Sequence, residues 1–62
     1  MGFKIKEARE EKRMTQEELS KKSGVSRGTI VALEKGEITD VKMSTLQKLA
    51  SAMDTTVQAI FF

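Results

Sequence analysis

No cysteine, histidine or proline occurs among the 62 residues. Without cysteine, neither a disulfide nor a thiolate zinc site can support the fold. Without histidine as well, the usual catalytic nucleophile–base pairs and the common transition-metal ligands are missing. Serine and lysine are present, but no pair of them stands at a spacing that suggests an oxyanion device. The expectation is a protein that is not an enzyme and carries no metal or other cofactor. Absence of proline, with only short β-branched runs, favours an all-helical chain. No apolar stretch approaches the roughly 20 residues needed to span a membrane, so none is expected as a partner. The opening Met1-Gly2-Phe3-Lys4-Ile5-Lys6 lacks the Ser or Thr of a myristoylation signal and has no secretory character, so cytoplasmic residence is expected. Internal repeats, linkers and low-complexity tracts are lacking too.

What is present suits one small domain over residues 1–62 with one core, near the lower size limit for folding alone. Hydrophobic residues make up 39% and charged residues 32%, values of a globular chain and not of a disordered tail. The net charge of +2 is too small to establish nucleic-acid binding by itself. Its distribution is more informative. Residues 1–36 hold nine Lys or Arg against six Glu, whereas residues 37–62 hold two Lys against Glu37, Asp40 and Asp54.

The positive end contains the stretch Thr15 to Gly36, TQEELSKKSGVSRGTIVALEKG, which reads as two short helices joined by a tight turn. Thr15 is a strong N-cap, Glu18 completes a capping box, and Met14 and Leu19 have the spacing of a hydrophobic staple. The first of these helices runs to about Ser23, where Gly24 tolerates the left-handed conformation that ends it. Ser26 caps the second, Val25 and Ile30 form another staple, and Gly36 terminates it. Helix, glycine turn and helix at this spacing make a helix-turn-helix, a unit that enters the DNA major groove with its second helix.

Gln16, Leu19, the small Ser20, Gly24, Val25, Ile30, Leu33 and the ending Glu34-Lys35-Gly36 fall in one register. That register resembles the phage lambda-repressor-like (Cro-like, xenobiotic-response-element type) helix-turn-helix family. The likeness extends from about Ile5 to Phe61. It implies an all-α, compact five-helix domain with the helix-turn-helix at helices 2 and 3. It also implies that Arg9 pairs with Glu34, that helix 2 crosses the DNA backbone, and that Gln16 holds a phosphate. Independently, Ile30, Leu33 and Glu34 share one helical face, so Glu34 borders the core and needs a partner. Arg13 departs from the family's frequent glycine and costs roughly 1 kcal/mol if its backbone is left-handed.

In order along the chain, Lys4 to Lys12 reads as helix 1, with Ile5 and Ala8 inward and Phe3 covering one end of the core. The outward face of helix 3 holds Arg27, Gly28, Val31, Ala32 and Lys35, a peculiar set for solvent. Gly28 inside a helix costs up to about 1 kcal/mol against Ala, which a close approach of DNA would justify. Arg27 has the reach for guanine O6 and N7, and Val31 and Ala32 for thymine methyls. The alternative has Val31 and Ala32 packing on helix 4 and Arg27 merely solvated. Thr29 suits a phosphate or a base edge. Thr15, Gln16, Ser26, Lys35 and Lys42 are assigned to phosphates, although Lys42 reads equally well as solvated. The loop from Glu37 to Met43 is expected to anchor through Ile38, Val41 and Met43. Helix 4, Ser44 to Met53, is expected to start on a Ser44–Gln47 capping box, with Leu46, Leu49, Ala50 and Met53 inward. Thr56 caps a last helix whose Val57, Ile60 and Phe61 share a face, leaving Phe62 over.

The leading function is a sequence-specific DNA-binding transcriptional regulator, a repressor in the simpler case, acting on a palindromic operator. Double-stranded DNA and a second copy are the expected partners, the homodimer forming around Val57, Ile60, Phe61 and Phe62. A monomer with Phe62 folded over Phe3 or Leu46 is the competing arrangement. An antitoxin-like or anti-repressor-binding module, whose apolar end grips a protein partner, is the alternative function.

Overall fold

The structure is a computed structural model that describes residues 3–38 and 40–61. Five helices follow one another, α1 (Ile5–Glu11), α2 (Gln16–Ser23), α3 (Arg27–Lys35), α4 (Met43–Ala52) and α5 (Val57–Ile60), and no strand occurs among the described residues. Their ends follow the local chemistry. Thr15 Oγ1 accepts from the Glu18 N–H at 3.0 Å while the Glu18 carboxylate accepts from the Thr15 N–H at 2.8 Å, a complete capping box. Ser26 and Thr56 cap α3 and α5 with a single bond each, accepting from the N–H three residues on.

Gly24 and Gly36 end α2 and α3 in the left-handed conformation, at φ 78° and 76°. The same conformation closes α1 and α4, but there the residues are Arg13 at φ 56° and Asp54 at φ 55°. After α1, Met14 N–H reaches back to the Arg9 carbonyl and Arg13 N–H to that of Glu10, both at 3.0 Å, which is a Schellman turn. Asp belongs to the residue types that tolerate this conformation; Arg does not. The sequence marks Arg13 as the suspect position and passes over Asp54.

The core consists of Ile5, Leu19, Val25, Ile30, Leu33, Leu46, Leu49, Ala50, Met53 and Ile60, with Phe3, Ala8, Met14, Val41, Ala52 and Val57 packed around it. α2 lies against both α3 and α4, α1 against α3 and α5, and α4 against α5. A backbone bond from Lys4 N–H to the Ile60 carbonyl, at 2.8 Å, ties the start of α1 to the end of α5. Among the described residues, no helix is long and apolar enough to cross a membrane.

Three sequence expectations need correction. First, Ser44 does not cap α4. The helix begins at Met43 behind an extended Lys42, which offers no side-chain cap and whose carbonyl accepts from the N–H groups of Thr45 and Leu46. Burial of Leu46, Leu49 and Ala50 fixes the face of α4 but not its first residue, so Ser44 and Gln47 stay exposed on the outside. Second, of the three expected loop anchors, Ile38, Val41 and Met43, only Val41 packs on the core. Ile38 is 37% exposed, and Met43, a full turn ahead of Leu46, is 56% exposed. Third, Phe61 does not join the inner stripe of α5. The helix is four residues long, Phe61 is its C-cap, and the ring sits 45% exposed with its centroid 5.5 Å from that of Phe3. Ile60 is fully buried, Val57 partly so, and Phe62 lies outside the described residues.

Candidate nucleic-acid interface

α2 and α3 are held together by Leu19, Val25, Ile30 and Leu33, all buried, and by a hydrogen bond from Ser20 Oγ to the Val25 carbonyl at 2.7 Å. The hydroxyl of Ser20 thus does more than keep the side chain small; it also fixes the turn. On one side of this unit the helices bound an open concavity of about 590 Å³. Thr15, Gln16 and Glu17 line it from the start of α2, and Arg27, Val31 and Lys35 from α3. Lys6 and Arg9 line it from α1.

One ion-pair network forms the floor. Arg9 Nε donates to Glu34 Oε2 at 2.8 Å and Nη2 to Glu34 Oε1 at 3.2 Å, a bidentate pair. Arg9 Nη1 donates to the Met14 carbonyl at 2.7 Å. The side chains are 11% and 5% exposed, so both charges are largely, though not wholly, withdrawn from bulk water. The Glu34 hydrogen bond pushes the Arg9 guanidinium above its ordinary range, against the opposing effect of burial and with help from the charges of Glu34 and Glu10. Gln16 Nε2 also donates to Glu34 Oε1, at 3.0 Å. One carboxylate of α3 therefore joins α1 and α2, and Gln16 is half-buried in this network instead of standing free at the surface.

At the start of α2 the capping box uses the Thr15 and Glu18 N–H groups. The Gln16 and Glu17 N–H groups, which precede the intrahelical ladder, take no acceptor among the described residues and remain available to an anion. On α3, Arg27, Gly28 and Lys35 are exposed and Val31 and Ala32 half-buried. A Cβ added at Gly28 would meet no neighbour within 4 Å among the described residues, so none of them requires glycine there.

The concavity thus gathers Thr15, Gln16, Arg27, Val31, Lys35 and the Arg9–Glu34 pair. Gly28, Thr29, Ala32, Ser26 and Lys42 are not among its lining residues. Thr29 is half-buried, and its hydroxyl meets that of Ser26 at 2.8 Å, so these two groups are first of all partners for each other. Lys42 is exposed at the entry to α4. Lys6 joins the surface unexpectedly, since the sequence suggests only a solvated lysine there; its place three residues before Arg9 on α1 was the available signal. Cationic groups, a planar guanidinium and an apolar edge facing one opening suit a surface of phosphates and base edges.

A helix-turn-helix family model matches residues 5–60. An uncharacterized HTH-type transcriptional regulator of Archaeoglobus fulgidus is 43% identical over 61 residues, covering 98% of this chain and 84% of the relative. A second, from Methanocaldococcus jannaschii, is 41% identical over 61 residues, covering 98% and 91% respectively. No solved structure matches the chain. The helix-turn-helix geometry and these matches, spanning nearly its full length, establish that the chain belongs to the lambda-repressor-like helix-turn-helix family of transcriptional regulators.

Proposed function

We propose that the protein is a sequence-specific repressor that lays α3 in the major groove of a palindromic operator and acts as a homodimer. The observation that supports this most is the single concavity joining Arg27, Val31 and Lys35 of α3 to the free N–H groups at the start of α2. In this reading the Gln16 and Glu17 N–H groups, with Lys6 and Lys35, hold phosphates and set the register. The Glu17 carboxylate at the same rim keeps that hold modest. Arg27 reads a guanine edge, Val31 and Ala32 meet thymine methyls, and Gly28 leaves room for the groove wall. Ser26 and Thr29 act mainly by capping α3. Lys42 adds a backbone contact beside the entry to α4.

One such helix covers few base pairs, so two copies pair across half-sites about 34–36 Å apart. Ile60 is spent in its own core; Val57 and Phe61, beside Phe3, are the accessible apolar groups at the α5 end where the copies meet. Selection of bound sequences from a random duplex pool tests the proposal. Enrichment of a two-fold motif with that spacing is expected. A pool that stays random after repeated rounds, despite salt-sensitive binding, would remove sequence reading and leave only a general affinity for polyanions.

A further inference from the structure

Away from that concavity, the molecule gathers cations a second time. Lys12, Arg13, Lys21 and Lys22, all exposed, surround Met14 and Glu18 about a second open hollow of about 400 Å³. The opposing charge is small. Glu18 accepts the Thr15 N–H in the capping box. Glu17 Oε2 lies 3.8 Å from Lys21 Nζ, with the side chains 70% and 79% exposed, so water screens that pair heavily. Lys22 also borders a neighbouring hollow lined by Lys48, Ser23, Ser44 and Gln47 and, among the described residues, by no carboxylate. The band is thus continuous from the α1–α2 turn to the outer face of α4.

Arg13 supplies an independent observation. It holds the left-handed position at φ 56°, where a residue with a Cβ is less favourable than glycine. The equivalent positions after α2 and α3 carry glycine. Among the described residues, the Arg13 guanidinium makes no hydrogen bond or ion pair that would offset this strain. A strained backbone that presents an unpartnered cation at the centre of a basic cluster suggests that the cation has an external partner.

We propose that Lys12, Arg13, Lys21 and Lys22 form a second phosphate-binding surface, which takes the backbone of the same duplex where it flanks the sequence read by α3. Met14 borders both hollows, so the two surfaces adjoin at the α1–α2 turn. Duplex DNA carries a charge about every 1.7 Å along its axis, so a strand within a few base pairs of the groove site is in range. The proposal rests on the reading that α3 occupies the groove, and it enlarges the footprint beyond the bases read.

The test follows binding by fluorescence anisotropy across roughly 50–200 mM salt, on the selected site alone and on the same site with about 10 flanking base pairs at each end. The proteins are the parent, the combined Lys12→Gln, Arg13→Gln, Lys21→Gln and Lys22→Gln variant, Arg13→Gly, and Arg13→Lys. On the flanked duplex, the combined variant should show a salt slope shallower by about two to four units. Its affinities for the two lengths should become alike. Arg13→Gly should raise the melting temperature yet flatten the slope by about one unit, and Arg13→Lys should keep the parental slope. A parental slope in both the combined variant and Arg13→Gly, with Arg27→Ala still altering base preference, overturns this proposal alone. Equal losses on both lengths put the contacts inside the site and contradict the flanking assignment. Capture of two differently labelled duplexes by one protein names a second molecule as the source and also contradicts it. Failure of the parent to bind any duplex overturns the groove reading and this surface together.

Discussion

Gly28 separates folding from function most cleanly. Among the described residues no neighbour would touch a Cβ at this position, so Gly28→Ala should stabilise the fold by up to about 1 kcal/mol. Under the proposed docking the added methyl would face the groove wall, so affinity for the selected site should fall while the melting temperature rises. A variant that is more stable and binds unchanged would deny glycine any part in the interface. Arg9 and Glu34 carry the opposite expectation. Removing either alone leaves the other charge in a poorly solvated place, at a cost below the roughly 3–5 kcal/mol of a fully buried pair, whereas Arg9→Met with Glu34→Leu should be milder than the worse single change. Strictly additive losses in a denaturation cycle would contradict the pairing. The pH dependence follows from Arg9 itself. Its pKa is raised on folding, so its contribution is complete below the unfolded value and is lost only as pH rises through the higher folded one. Both lie far into the alkaline range, and no histidine is present to titrate near neutrality. Stability and DNA affinity should therefore be flat between about pH 6 and 8. A step in either within that window would expose a titrating group outside this account.

The elements differ in how much they owe to local signals. For α2 and α3 the caps, staples and terminal glycines all act within the chain's own neighbourhood, so their extents are legible from Thr15, Glu18, Gly24, Ser26 and Gly36 alone. The start of α4 is different. A serine followed three residues later by glutamine has the local chemistry of a cap, but Val41 docks on the core and the helix begins at Met43 instead. Tertiary docking outweighs a cap worth about 1 kcal/mol. The network on Glu34 was half legible: helical spacing puts Glu34 at the core edge, but no sequence pattern shows Gln16 bonding to it across 18 positions. Lys6 is likewise half legible: its place three residues before Arg9 puts it on the same side of α1, and the packing of α1 on α3 brings that side to the concavity. These differences give a prediction at the scale of elements. Thr15→Ala should cost about 0.5–2 kcal/mol by removing a cap, while Ser44→Ala should stay within about 0.5 kcal/mol. Comparable losses in chemical denaturation would return the capping role to Ser44.

Taken whole, the molecule has a Cα radius of gyration of 9.9 Å and carries only +2 net charge, so general attraction to DNA is weak and placement of the charges matters. It presents an α3 concavity, a basic band around the α1–α2 turn, and an apolar end where Phe3 meets Phe61. A complex on the two-fold site should contain two chains, a protein mass twice the 6.9 kDa of one. Phe61→Glu should weaken that pairing without unfolding the chain, because Phe61 is 45% exposed. Sedimentation of the labelled complex checks both points, and one chain per two-fold site would contradict the dimer. The central claim is narrower than the dimer: α3 reads bases through Arg27. Site selection with the parent, Arg27→Ala and Lys35→Ala measures it most directly. The account expects Arg27→Ala to lose preference at one base pair per half-site and about 1–3 kcal/mol on the best site. Lys35→Ala should instead keep the motif and weaken all sequences alike, with the salt slope flatter by about one unit. An unchanged motif in Arg27→Ala would contradict the account, because the guanidinium would then be reading nothing.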